Sequence, residues 1–511
     1  MSSLSGVPVE QPHSAPVPPA KSATKPSWNV FISLLVSALL LIPCFWHTHI
    51  EAGDLGSHVY NSWLALLAEQ GKAPGVYVVW QWNNVLFDLM LFYSAKAFGF
   101  LAAEKIAVSI CVLIFFWGVF ALMRTIGGKS PWFLAPLIVM LTYGYIFHMG
   151  FMNYYLSLGL ASLGLAYAWP LRKNGLIVAA LLCPFMLLAH PLGFLWFLGT
   201  LIYRVSWLRF PGWWKLILPL GALLIFLTAH LIVAHHQGWQ VEWRDTPFWR
   251  LNGVDQFRVF GHRYDWFAVI ISVFALSATL IAWLQNRRVG FWKDRRLYLE
   301  LYLISFLGTS LLPENLLTDP TGGWIGALVT RLTLISAILL LCWLASFPTR
   351  FWHLIVSGLC AIVFFTFIYQ DTAFLNRMEI NAEQVTRQLP FGTRVLATIF
   401  APANTRIIFL HIPDRACIGH CFLFSNYEPS TRQFRVRVRP GSPVVTASVD
   451  DSEDMQSGTY DVQDEDLPLK QIYQCGPADL AQICIRDLAE DEKNDRLGYH
   501  PPDNPFFKEN P

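Results

Sequence analysis

The chain has 511 residues, 54% of them hydrophobic and only 14% charged, with a formal net charge of +2. A soluble domain carries about 25% charged residues, so this composition excludes an ordinary water-soluble fold. No basic run of the kind that binds nucleic acid is present.

Many segments are apolar all round, which predicts helices that face lipid or lie buried in a bundle. The expected fold is an all-α polytopic membrane bundle of about 11 transmembrane helices, followed by a small α+β extracytoplasmic domain. Residues 1–27, rich in Ser, Pro and Ala, read as a disordered cytoplasmic tail. Trp28 to Trp46 is long enough to cross a hydrocarbon core of about 30 Å and reads as a signal anchor. Lys21 and Lys25 before it place the N-terminus in the cytoplasm.

Further spans centre near residues 92, 113, 139, 160, 190, 224, 276, 305, 334 and 360, completing a bundle over 28–370. Arg204, Arg209, Lys215, Arg350 and the cluster Arg287, Arg288, Lys293, Arg295 and Arg296 then fall inside. Arg124, Lys129, Arg172 and Lys173 fall outside, against the rule. Splitting residues 176–203 at His190-Pro191 into a hairpin would move them, but would upset the parity of the first loop, so one span is kept there. The odd count puts the C-terminus outside the cytoplasm. Outside loops are expected at 47–83 and 235–265.

Acidic runs and a change in cysteine usage mark residues 371–511 as a separate domain. Arg394–Phe400, Arg406–Ile412, Gln433–Val438 and Pro443–Val449 read as strands, and Pro477–Leu488 as a helix. Tyr499–Pro511 reads as loose. Cys44, Cys111, Cys183, Cys342 and Cys360 lie in apolar segments as packing residues. Cys417, Cys421, Cys475 and Cys484 allow three disulfide pairings in an oxidising compartment. With His420 they also admit a zinc site.

The first loop carries the most chemistry, in His47-Thr-His-Ile-Glu51-Ala-Gly-Asp54-Leu-Gly-Ser-His58-Val-Tyr60-Asn61. An amphipathic helix from about Leu55 to Gln70 should follow, stopped by Gly71. Asp54 sits at its N-cap, four residues before His58 and on the same face. Two readings compete. Asp is a favoured N-cap because it bonds free N–H groups. A carboxylate at the membrane–water boundary also suits a general base between a lipid phosphate and a soluble acceptor. Glu51 is a second acidic candidate or a solvated charge. His47, His49 and His58 have no diagnostic metal spacing. No metal ligands are assigned and no cofactor is certain, although a divalent metal is compatible with the loop.

Arg331 lies inside the apolar run Trp324–Leu344, where a charge is costly and marks function or an ion pair. A lipid phosphate is its natural ligand; snorkelling to the interface is the alternative. Glu314 and Asp319 are potential partners. His190-Pro191 marks a broken helix at a polar cavity or a bundle histidine. The loop Trp239–Trp266 alternates aromatics with Arg, as in Trp243-Arg244, Trp249-Arg250 and Phe257-Arg258. It reads as a sugar-stacking surface or an interfacial belt.

The order of first span, acidic loop, amphipathic helix, bundle and terminal outside domain resembles the GT-C glycosyltransferases over roughly residues 28–370. Asp54-Leu-Gly-Ser-His58-Val-Tyr60 with Gly71-Lys-Ala-Pro-Gly75 is similar to the opening of the bacterial members. The segment from Asp414 to Cys421 and onward from Asn426 resembles uncharacterised bacterial membrane proteins. The sequence departs from the family where a Pro-Pro-x-Tyr-like stretch is common and Trp80-Gln-Trp-Asn-Asn84 stands instead, and its acidic pair is Glu-x-x-Asp. The resemblance implies transfer of a sugar from a polyprenyl-phosphate donor to an extracytoplasmic acceptor, with Asp54 catalytic and Glu51 second. His58, Tyr60, His190, Arg331 and Glu314 are then candidate substrate contacts. Membrane lipid and the lipid-linked sugar would be its partners, and the resemblance to bacterial members implies a bacterial inner membrane as its location. Oligomeric state is not legible. A transporter or flippase for a lipid-linked solute, and a non-catalytic anchor for the C-terminal domain, are the rival expectations. An inverted repeat would favour the first; tolerance of substitution at Asp54 and Arg331 would favour the second.

Overall fold

A computed structural model describes residues 27–494 apart from 237, 245–250, 288, 319–323, 402–404, 407–409 and 477–478. Asp319, Trp249-Arg250 and Tyr499–Pro511 therefore lie outside the described residues, as do residues 1–26. The chain divides into two compact units, one ending at Leu39 and one from Leu40 onward. The described part of the first is the opening of helix α1 (Ser27–Phe45), whose Phe31, Leu34 and Leu39 are exposed apolar side chains.

The second unit is mostly helical. In chain order its helices are α2 (Leu55–Glu69), α3 (Leu86–Phe98), α4 (Phe100–Gly127), α5 (Ala135–Thr142), α6 (Tyr145–His148), α7 (Met152–Ala168), α8 (Lys173–Ala189) and α9 (Pro191–Arg209). Then come α10 (Ile217–His235), α11 (Asp265–Gln285), α12 (Val289–Leu311), α13 (Leu328–Ala345) and α14 (Phe351–Thr386). Three short helices follow: α15 (Ile412–Ala416), α16 (Glu428–Thr431) and α17 (Val449–Ser457). Among the described residues, six helical stretches are long and apolar enough to cross a membrane: Phe100–Gly127, Pro191–Arg209, Gly212–His235, His262–Gln285, Leu328–Ala345 and Phe351–Thr386. None of the residues of α10 is buried, as expected of a helix that is apolar on every side and faces lipid. By contrast, α13 is buried along nearly its whole length and forms the middle of the bundle.

Small residues set the closest helix contacts, because without Cβ atoms two backbones approach nearer. A Cβ on Gly118 of α4 would fall 2.3 Å from the Gly159 carbonyl oxygen of α7. Those two helices form the most extensive pair in the bundle.

Several expectations change. The apolar run centred on residue 190 is two helices, α8 and α9, because His190 adopts an extended conformation before Pro191 and proline disfavours helix in the residue before it. Helix α3 has 13 residues, roughly 20 Å at 1.5 Å per residue, too short to span alone. Gly99, at φ 81°, breaks it from α4. Helix α14 runs to Thr386, past the boundary expected at 370.

Three sheets complete the fold. Strand β1 (Val76–Val78) pairs antiparallel with β7 (Val436–Val438), Val76 opposite Val438. Strands β2 (Gln240–Glu242), β3 (Asn315–Leu317) and β4 (Trp324–Ile325) form a second antiparallel sheet. The third has the order β6-β5-β8-β9. Strand β5 (Thr393–Thr398) lies parallel to β6 (Cys421–Leu423) and to β8 (Lys470–Gln474), and β8 lies antiparallel to β9 (Ile483–Asp487). Leu396, Phe424, Met455, Tyr460, Val462, Leu469 and Leu488 form its core.

Strand β9 stands where a helix was expected over Pro477–Leu488. The alternation Ile483-Cys484-Ile485 has period two and β-branched residues, and it pairs with β8. No strand forms over Pro443–Val449, where α17 begins at Val449. The strand expected over Arg406–Ile412 lies partly outside the described residues and ends in α15. The segment after α14 is not separate. It belongs to the same compact unit as the bundle, and part of it covers α2.

Candidate functional site

Helix α2 was expected to be amphipathic on a surface, yet all of its first eleven residues are buried. The cover comes from the far end of the chain. Ser57 Oγ donates to Glu428 Oε1 at 2.7 Å, and Asn426 Nδ2 donates to Asn61 Oδ1 at 2.9 Å. Tyr60 OH accepts from the Leu423 N–H at 2.8 Å. Tyr60 thereby ties α2 to β6. A Cβ on Gly56 would fall 2.3 Å from the His411 carbonyl oxygen, so glycine there lets α15 lie against α2.

Asp54 occupies the N-cap position of α2, but its side chain makes no capping hydrogen bond. The capping reading is thereby set aside. Its backbone is held instead: Gly53 N–H donates to the His148 carbonyl at 2.7 Å and Asp54 N–H to Met149 at 3.0 Å. Gly150, at φ 82°, permits this approach, since a Cβ there would lie 2.4 Å from Asp54 N. The Asp54 carboxylate, about 20% exposed, lies 3.9 Å from His411 Nε2. Burial raises its affinity for a proton. The charges of His411, His58 and Arg331 oppose that, and the net direction is upward from the usual carboxylate range.

Two imidazole–carboxylate pairs flank Asp54. His58 Nδ1 donates to Asp88 Oδ1 at 2.7 Å, and Asn153 Nδ2 holds Asp88 Oδ2 at 2.8 Å. Burial favours neutral His58, but the Asp88 carboxylate dominates and pushes it up to about 9. His411 Nδ1 donates to Asp414 Oδ2 at 3.0 Å, and burial is again outweighed, here by Asp414, giving about 9. Burial holds the Glu428 carboxyl up at about 7. The site thus holds protonated and ionised groups side by side near neutral pH.

Arg331 stands one turn into α13. Its guanidinium lies over the Phe151 ring at 4.4 Å and donates to the Gly326 carbonyl. Its Nε is buried without a hydrogen-bond partner, and it forms no ion pair with any described residue. Glu314 is not its partner: Glu314 accepts from Thr330 Oγ1 at 2.6 Å and pairs with Arg244 at 3.3 Å, which fixes the start of α13. His190 Nδ1 accepts from the Leu192 N–H at 3.2 Å and caps α9. Its ring meets Tyr154 at 5.2 Å, and Tyr154 OH donates to the Arg331 carbonyl at 2.6 Å. His190 therefore supports the Arg331 region through Tyr154. In the aromatic loop, Arg244 and Arg258 are paired, with Glu314 and with Asp265 at 2.5 Å.

Glu51 faces a different cluster. Arg415 reaches Glu104 at 2.9 Å, Glu379 at 2.5 Å and Glu51 at 3.5 Å, all almost fully buried. It also donates to the Ile50 carbonyl at 3.1 Å, while the Ile50 N–H donates to Glu104 at 2.7 Å. His49 pairs with Glu383 at 2.8 Å. Glu51 is thus neither solvated nor beside Asp54 chemically; it clamps the loop that presents Asp54. A cavity of about 190 Å³ opens beside this cluster, lined by His49, Glu383, Arg387, Arg415 and His420.

Residues Asp88, Glu104, Glu379, His411, Asp414 and Arg415 were missed in the sequence. The first three are isolated carboxylates in apolar helices, the signal that marked Arg331. Asp414 and Arg415 belong to the segment Asp414–Cys421, singled out for its cysteines, and His411 lies three residues before it. Those cysteines form the disulfides Cys417–Cys421 and Cys475–Cys484, which leaves no thiolates for zinc there. Among the described residues no group of three or more His, Cys, Asp or Glu side chains is arranged to hold a metal ion. Comparison of the chain with protein-family profiles, curated proteins and solved structures returns no match.

Proposed function

We propose that the protein is a GT-C-like membrane glycosyltransferase that moves a sugar from a polyprenyl-phosphate donor to an extracytoplasmic acceptor. The observation that carries this reading is Asp54: a helix N-cap carboxylate that caps nothing, set among His58, His411 and Arg331. In the step, Asp54 takes the proton of the acceptor hydroxyl. The acceptor oxygen bonds to the anomeric carbon as the bond from that carbon to the phosphate oxygen breaks. The electron pair leaves with the polyprenyl phosphate, whose growing negative charge Arg331 receives.

A topology accompanies the proposal. Eleven spans remain, but their identity shifts: α3 is not one, α5 and α6 together make one, and α8 and α9 are each one. The loops with Arg124 and Lys129, with Arg172 and Lys173, with Arg204 and Arg209, with Arg287, and with Arg350 then all fall in the cytoplasm. The loops that meet at Asp54, after α1, α6 and α8 and before α13, all fall on the other side, together with the disulfide-bonded segment.

The test is turnover of labelled polyprenyl-phosphate sugar by membranes carrying the native chain or Asp54→Asn. A loss of at least 100-fold is expected for the variant, within the roughly 10²–10⁴-fold range of general-base catalysis. Equal turnover would remove Asp54 from the mechanism, and none by the native chain would overturn the enzyme reading.

A further inference from the structure

His411 reaches Asp54 from the segment that follows α14. Its Nδ1 is occupied by Asp414, so Nε2 is the remaining polar atom of the ring, and this is the atom 3.9 Å from Asp54 Oδ1. The second oxygen of Asp414 is buried without a hydrogen-bond partner among the described residues, and the imidazole is the side chain that holds the first. The other side of the ring leans on Tyr427, centroids 5.6 Å apart.

We propose that His411, oriented by Asp414, is a positioning residue for Asp54: its imidazolium keeps the Asp54 carboxylate ionised and aimed, and it does so only when the C-terminal segment is docked on α2. The consequence for turnover rests on the glycosyltransferase reading; the electrostatic coupling does not.

The charged neighbours set the sign. Asp54 faces His58 on its own helix, Arg331 on α13, His411 and Asp414 at α15, and Tyr427 at the start of α16. His411 faces Asp414, Asp54 and Glu428. Burial pushes Asp54 toward its neutral acid, and His411 is the strongest opposing charge. An opposite charge within about 4–6 Å lowers a carboxyl by about 1–3 pH units. Replacing His411 with a neutral residue therefore moves the Asp54 midpoint upward by that amount. A purely structural role would lower turnover at every pH and leave the midpoint in place.

The experiment uses the full chain in detergent. A hydrophobic carbodiimide modifies protonated carboxyls, and labelling of Asp54 is followed by peptide mass spectrometry across pH, with Asp54→Asn identifying the site. His411→Asn should shift the half-labelling pH upward by about 1–3 units. The acid limb of the pH–rate profile should move with it, so turnover lost at neutral pH returns at higher pH. His411→Gln, whose longer amide reaches further toward Asp414, is the second variant if the first does not fold. An unchanged labelling midpoint in either folded variant overturns the inference while leaving an Asp54-dependent activity intact. Absent turnover by the native chain instead removes the enzyme reading, and labelling still decides the coupling.

Discussion

Replacing Arg415 with methionine would leave Glu51, Glu104 and Glu379 without their common cation. All three carboxylates are at most about 5% exposed, and Arg415 is 7% exposed. Breaking a buried ion pair by removing one partner costs about 3–5 kcal/mol, because the orphaned charge stays in a low-dielectric site. Here three carboxylates share one arginine, so the upper end applies unless they take up protons. A change of 1 kcal/mol moves the midpoint of a domain of 150–250 residues by about 2–4 °C, and less in a longer chain. The expected loss for Arg415→Met is therefore on the order of 5–10 °C, read by tryptophan fluorescence on heating in detergent. Adding Glu379→Gln should recover part of it, since it removes one of the unpaired charges. The loop from His49 to Asp54 should also loosen, because Arg415 holds the Ile50 carbonyl and Glu104 holds the Ile50 N–H. A midpoint for Arg415→Met within 2 °C of the native one would refute this account of the cluster.

Gly150→Ala should be costly out of proportion to one methyl group. It combines a φ of 82° with overlap against the Asp54 backbone, and we expect a loss of about 1–3 kcal/mol, seen as a lower thermal midpoint and displaced Asp54 chemistry. The thermal midpoint should also fall as pH rises from about 7 toward 9. The folded His58 sits at about 9 and the unfolded one near 6.5. Stability from its pair with Asp88 is thus complete below 6.5 and lost as pH passes 9. His58→Asn should be less stable at pH 6 and should flatten that part of the curve; an equally steep fall in the variant would exclude His58 as its source.

The helical, apolar character of the chain was legible because hydropathy depends on composition over twenty residues, not on partners. The break at His190-Pro191 was visible as a dipeptide, but its effect on span number was not, since that required knowing that α3 ends at Gly99. Asp54 and Arg331 stood out as charges beside or within apolar runs. The neighbours of Asp54, His411 and Asp414, did not, because they lie some 360 residues from it in a polar segment where charge is unremarkable. Tyr60 and Glu51 show the reverse. Each sits beside Asp54 in sequence and points elsewhere, Tyr60 to Leu423 and Glu51 to Arg415. The helix expected over Pro477–Leu488 failed for a related reason: pairing with β8 supplies a hydrogen-bond ladder that local preference does not reveal.

The bonds that bury α2 join residues 363, 365 and 371 positions apart. Helix α2 leaves the ribosome before the long helices from α4 to α14, and α15, β6 and α16 leave it after them. Contacts of such long separation form late and slowly. Throughout synthesis of the bundle, the segment bearing Asp54 must therefore wait with Ser57, Asn61 and Tyr60 lacking their partners Glu428, Asn426 and Leu423. A chain interrupted between Thr386 and His411 would contain every long helix of the bundle and still lack an assembled centre. Synthesis of the stretch from His411 to Glu428 would then be the event that closes the site, and until then α2 would be a place where the chain is open to proteolysis.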